Sequence, residues 1–213
     1  MRIVAVEANI AAGKSTLVGP LAEKLTALTG ETWRLMVEPV DADPHFLALL
    51  QDFTARPDDA NARIRFQLYI TRMRQRLLQA LPDGNYVIER SLYSDVVFCQ
   101  TNFLQTERPD ARYMDYYYQI KACFKDYPPI DVVLYIDRDP QACFASCMQR
   151  ARPGETAYTL DYFQDLKRFH DACLPQLVRH YPARLIVWPV ASGFADVGAL
   201  ATSLVQQTGW GVN

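Results

Sequence analysis

Residues 7–16 read EANIAAGKST. From position 8 to position 15 they follow the phosphate-cradling pattern G-x-x-x-x-G-K-[ST] everywhere but at its first glycine, where Ala8 stands. Such a loop works through main-chain N–H groups that converge on an anion at a helix N-terminus. The lysine adds a point charge and the hydroxyl holds Mg²⁺. The pattern means something only between a strand and a helix, and both are legible here. Residues 2–6, RIVAV, form a compact β-type run, and 16–28 carry Leu17, Leu21, Leu25 and Leu28 on one helical stripe. Gly13 permits the turn. Ala8 costs something only if its position needs positive φ, where a side chain is penalised by ~1–2 kcal/mol. The expected nucleotide contacts run from Asn9 through Ile10, Ala11 and Ala12 to Gly13, then through Lys14, Ser15 and Thr16.

Beyond this loop the chain alternates. Strand-type runs fall at 33–37, 86–90, 131–136 and 184–190. Helical patterns fall at about 61–81, 91–104, 111–126, 140–151, 159–179 and 195–208. Strands alternating with helices imply an α/β fold with a parallel sheet covered on both faces. In such sheets ligands lie beyond the carboxyl ends of the strands. Glu7, Glu38, Glu89-Arg90 and Asp137 each follow a strand end, so they are expected at one edge.

The length of 213 residues suits a single domain spanning 1–213. A formal net charge of −2 exerts no long-range pull on nucleic acid or anionic membrane. No stretch approaches the ~18 apolar residues of a membrane span. The N-terminus lacks the pattern of a signal peptide, and the expectation is a cytoplasmic protein. The five cysteines (Cys99, Cys123, Cys143, Cys147 and Cys173) read as thiols in a reducing compartment.

Five fragments in series carry a resemblance: EANIAAGKST, EPV at 38–40, FQ at 66–67, ERSLYSD at 89–95 and QRARPGE at 149–155. Together they resemble the deoxynucleoside kinases of the deoxycytidine, deoxyguanosine and deoxyadenosine type. The resemblance implies a P-loop NTPase-type three-layer fold with a five-stranded parallel sheet, a short lid at about 149–157, and a homodimer. It also implies transfer of the γ-phosphate of ATP, or another nucleoside triphosphate, with Mg²⁺ to the 5′-hydroxyl of a deoxynucleoside.

On this resemblance Glu38 is the base that takes the proton of the attacking hydroxyl, and Lys14 and Ser15 serve the donor. Glu89, with Ser15, handles the metal, and Arg90 lies near the moving phosphoryl group. Gln67 reads the edge of the nucleobase, which suits a side chain carrying both a donor and an acceptor. Arg74 and Asp95 form a second base-reading pair that favours purine or cytosine over thymine. Arg150 and Arg152 are lid arginines that stabilise transition-state charge. Glu155 accepts from the sugar 3′-hydroxyl, and Ser192-Gly193-Phe194 sits where the donor base is contacted.

Four positions depart from the family pattern. Asp41-Ala42-Asp43 replaces a tryptophan region, Phe53 stands for a sugar-binding tyrosine, Cys99 for a stacking phenylalanine beside Phe98, and Ser146 for a lid arginine. Base readers are kept while aromatic walls are thinned, which predicts a wide substrate range including purine or modified deoxynucleosides. Two alternatives remain: a nucleoside monophosphate kinase, disfavoured by Asp41 and Asp43, and a catalytically inactive kinase-like binding subunit.

Overall fold

The structure, a computed structural model, describes residues 1–38, 42–56, 58–104, 111–191 and 195–211. In chain order it runs β1 (Arg2–Ala8), α1 (Lys14–Thr29), β2 (Trp33–Met36), α2 (Pro44–Ala55), α3 (Ala60–Gln79) and β3 (Asn85–Glu89). It continues through α4 (Leu92–Leu104), α5 (Ala111–Cys123), β4 (Val132–Arg138), α6 (Pro140–Arg150), a 3-10 turn at Glu155–Ala157, α7 (Leu160–His180), β5 (Arg184–Val190) and α8 (Val197–Thr208).

The five strands form one parallel sheet in the order β2-β3-β1-β4-β5. Strand side chains alternate between two faces, and both faces are buried. Val4, Val6 and Ala8 of β1 join Leu134 and Ile136 of β4 in one apolar cluster, with Leu17, Leu21 and Leu25 of α1. Ile3 and Ala5 join Val133 and Tyr135 in the other, with Val96 and Val97 of α4 and Ile120 of α5. The result is the three-layer α/β arrangement expected from the alternation of strands and helices.

Two features differ from the expectation. The segment 44–55, where no element is expected from the sequence patterns above, is the helix α2. Asp43 caps it, accepting from the amides of His45 at 3.0 Å and Phe46 at 3.2 Å, and Pro44 occupies its first turn. Phe46, Leu50 and Phe53 form its buried stripe. Also, β1 continues two residues further, so Glu7 and Ala8 belong to the strand. Ala8 pairs with Ile136 in extended backbone, and its methyl packs in the core. Among the described residues the non-glycine positions with positive φ are Ala11 (52°), Arg90 (63°) and Ala151 (51°). Ala8 is not one of them, so the methyl meets no backbone penalty. The residue whose glycine is required is Gly13, at φ 91°.

Candidate active site

The chain starts its sheet in the middle. It moves outward to β2, returns to β3, then crosses β1 to place β4 and β5 on the other side. Such a switch leaves a crevice beyond the carboxyl end of the central strand. A cleft of about 950 Å³, its open mouth included, lies among the phosphate loop, α2, α3, α4 and the segment 150–162.

At one end of the cleft is the phosphate loop. Lys14 is buried and its Nζ donates to the Asn9 carbonyl at 2.9 Å. Burial, reinforced by the nearby Arg90 guanidinium, lowers the Lys14 ammonium from 10.5 to about 7 despite the pull of Glu89 and Glu38. Ser15 Oγ donates to Glu89, lying 3.0 and 3.1 Å from its two carboxylate oxygens. The loop is braced from outside. Asn9 Nδ2 donates to the Phe163 carbonyl, and Arg138 donates to the Ala11 carbonyl.

Arg90 follows β3 directly and is not part of it. Its amide donates to the Val6 carbonyl at 3.1 Å. Its Nη1 donates to Ser94 Oγ at 3.1 Å, its Nη2 reaches the Asn9 carbonyl at 3.4 Å, and its guanidinium lies 4.8 Å from the Phe98 ring centre. Beneath it, Glu7 is wholly buried and accepts from both Ser91 Oγ and Ser94 Oγ. Burial raises the Glu7 carboxyl above its ordinary range.

At the other end Arg74, from α3, stands between two carboxylates. Its Nε donates to Glu38 and its Nη1 to Asp95. Burial lifts Asp95 to about 6 against the opposing pull of Arg74, and among the described residues Asp95 Oδ2 has no partner within hydrogen-bond distance. Gln67, about two turns earlier on α3, lines the same cleft.

The third wall is the segment after α6. Glu155 is buried and gathers Arg150 and Arg152. Arg150 donates to it from Nε at 3.1 Å and from Nη2 at 2.7 and 2.8 Å, and Arg152 from Nη1 at 3.1 Å. The Cys147 thiol donates to the same carboxylate at 3.5 Å.

The structure thus brings Lys14, Ser15, Glu38, Gln67, Arg74, Glu89, Arg90, Asp95, Arg150, Arg152 and Glu155 around one cleft. Other expected residues do not arrive there. Phe53 is buried against Phe66, ring centres 5.3 Å apart, and does not border the cleft. Cys99 lies in the core between α4 and α5, where burial pushes its thiol up to about 12; Phe98 faces the cleft instead. Asp137 is a strand residue paired with Lys167 at 2.8 Å. Asp43 is spent on capping α2, so it is no argument about the acceptor, and Asp41 lies outside the described residues. Pro39 and Ser192-Gly193-Phe194 also lie outside them.

Five aromatic side chains wall the cleft even though Phe53 and Cys99 stay out of it. They are Phe46 of α2, Phe66 of α3, Phe98 of α4, Tyr158 just after the 3-10 turn and Tyr162 of α7. The unread helix α2 hid Phe46. Glu7 was legible only as a strand-end charge; its two serine partners lie 84 and 87 residues away.

Residues 4–192 match the deoxynucleoside kinase family profile. Deoxycytidine kinase 2 of Gallus gallus is 25% identical over 207 residues, covering 82% of this chain and 74% of the relative. The 1 alpha subcomplex subunit 10 of mitochondrial NADH dehydrogenase from Rattus norvegicus is 28% identical over 187 residues, covering 78% of this chain and 51% of that protein. The chain therefore spans about three quarters of the first relative and about half of the second. In fold it is similar to the deoxyadenosine kinase of M. mycoides with bound dCTP, with a TM-score of 0.73 at 20% identity over 96% of this chain and 99% of that one. The match over residues 4–192 and the cleft that unites its motifs lead to one conclusion: this chain belongs to the deoxynucleoside kinase family, whose members are phosphotransferases.

Proposed function

We propose that this protein transfers the γ-phosphate of ATP, or another nucleoside triphosphate, to the 5′-hydroxyl of a deoxynucleoside of purine or cytosine type. The observation that carries the reading is the single cleft with an anion cradle at one end and the Glu38–Arg74–Asp95 cluster at the other. Phosphoryl transfer asks for positioning and charge neutralisation more than covalent chemistry. Lys14 and the loop amides take the donor phosphates, and Arg90 meets the charge on the phosphoryl group in flight. Glu38 accepts the proton of the attacking hydroxyl once Arg74 releases it.

Gln67 offers a donor and an acceptor to the edge of the base. Asp95 Oδ2, buried and without a hydrogen-bond partner among the described residues, is an acceptor for an exocyclic amine, which cytosine and adenine carry and thymine lacks. Arg150 and Arg152 turn from Glu155 to the phosphates, and Glu155 is then open to a sugar hydroxyl. Ser15 Oγ and the Glu89 carboxylate are an adjacent pair of hard oxygen donors, which fits Mg²⁺ bound through few protein ligands and the substrate phosphates. When bound, that ion supplies charge neutralisation between the phosphate oxygens.

The test is an ADP-release assay with the four deoxynucleosides and their monophosphates. Glu38→Gln should lower transfer by about 10²–10⁴ while leaving MgATP affinity intact. Turnover of monophosphates alone would favour a monophosphate kinase. A second reading, a kinase-shaped subunit without turnover, is favoured by the likeness to the NADH dehydrogenase subunit; it requires that no nucleoside stimulates ADP release. A homodimer is proposed through α5, where Tyr113 and Tyr116 are buried but Met114 and Tyr118 stay exposed at 42% and 61%. Sedimentation of Tyr118→Lys, expected to be monomeric, tests it.

A further inference from the structure

Glu7 is the acid that the proposed reaction leaves without a task. It is 0% exposed and lies outside the cleft lining. Its partners among the described residues are two hydroxyls, Ser91 Oγ and Ser94 Oγ, one on each carboxylate oxygen. A buried carboxylate without a direct cationic partner is costly, and it persists when it holds something in place.

What it holds is legible in the backbone. Arg90 sits at φ 63°. A non-glycine residue there costs ~1–2 kcal/mol and stays only where its surroundings over-determine it. Glu7 grips those surroundings twice. Ser91 is the residue immediately after the strained turn, and Glu7 Oε1 pins its hydroxyl. Ser94 Oγ accepts from Arg90 Nη1 at 3.1 Å and donates onward to Glu7 Oε2. A hydroxyl donating to a carboxylate becomes a better acceptor, so the relay strengthens the bond to the guanidinium. Below, Val6, the residue before Glu7, accepts the Arg90 amide.

The geometry points to Glu7 as a positioning residue for Arg90: through Ser91 it holds the left-handed turn, and through Ser94 it aims the guanidinium into the cleft. This rests on the kinase reading above. Phe98, under the guanidinium, completes the seat.

The experiment measures kcat, both KM values and the melting temperature for the parent, Glu7→Gln, Ser94→Ala and the double variant, using MgATP and the best deoxynucleoside. Each single change should lower kcat by about tenfold to a hundredfold, the loss of a charge-assisted bond, with both KM values within about threefold. The double variant should fall no further than the worse single, because both cut one relay. A crystal structure of Glu7→Gln should show Arg90 out of its present seat. Preserved kcat with only a lowered melting temperature overturns the inference, as do additive losses or an unmoved Arg90. If Glu7→Gln does not fold, Ser94→Ala decides, and an undiminished kcat there overturns it. A parent inactive on every deoxynucleoside sinks the functional reading and the inference with it. An active parent with unimpaired variants sinks the inference alone.

Discussion

Arg74→Met removes one positive charge from between two buried carboxylates. The side chains of Arg74, Glu38 and Asp95 are 5, 9 and 1% exposed, so water cannot take over the lost role. Removing one partner of a buried ion pair costs ~3–5 kcal/mol, because the remaining charge is stranded. In a chain of this size each kcal/mol shifts the melting temperature by ~2–4 °C, which gives a drop of ~6–20 °C at pH 8. The pH dependence follows from Asp95. Burial already raises it from 3.8 to about 6 while Arg74 pulls it down, so losing Arg74 raises it further. An acid with a raised folded pKa keeps a proton that the unfolded chain releases, so stability rises as pH falls through that window. The deficit of Arg74→Met should therefore shrink between pH 8 and pH 5. Adding Asp95→Asn should recover roughly half of it at pH 8, since one of the two stranded charges is gone. Thermal and urea melts of the three proteins at pH 8, 6.5 and 5 measure this. A deficit below ~1 kcal/mol, or one equal at pH 5 and pH 8, would refute the assignment of Arg74 as the cluster's necessary cation.

Three further outcomes are expected. Lys14 at about 7 is mostly neutral at pH 8.5, and phosphate contact should restore its charge. MgATP binding at that pH should take up about 0.9 proton, read by calorimetry in buffers of different ionisation enthalpy; Lys14→Arg should abolish the uptake, and zero uptake by the parent refutes the reasoning. Ala8→Gly, which restores the consensus glycine, should destabilise by about 0.5–1 kcal/mol and leave the KM for ATP unchanged, because Ala8 is extended and packed. Glu155→Gln frees two arginines from a carboxylate, so the nucleoside KM should rise by about tenfold while the donor KM stays level or falls, and a rise in the donor KM alone contradicts the assigned roles.

The order of elements was legible because strand and helix periods are local. The apolar runs of β1 and β4 and the leucine stripe of α1 carry their own secondary structure. The phosphate loop was legible because its chemistry lies in consecutive residues. The helix α2 carries a local cap signal, Asp43-Pro44, ahead of the apolar stripe Phe46, Leu50 and Phe53, and this signal is absent from the sequence patterns used above. Phe53 was a candidate through the family resemblance alone, and the helical stripe of α2 is what buries it and brings Phe46 to the cleft. On α4 one residue is a rotation of about 100°, so whether Phe98 or Cys99 meets the cleft is set by the helix's packing against the sheet and α7.

The amino-acid sequence by itself determined the alternating α/β architecture, the anion loop and which residue types stand at strand ends, since all of these follow from near-neighbour sterics and hydrophobic period. Only the tertiary structure decided that Ala8 is harmless, that Arg74 joins Glu38 to Asp95, and that Glu7 lies sealed beneath Arg90. The Arg74 and Glu7 outcomes depend on contacts 21 to 87 residues apart in the chain, and that of Ala8 on its pairing with the still more distant Ile136. Such contacts form when the central strand is enclosed on both faces, and local pattern carries no information about which distant side chain will share the enclosure.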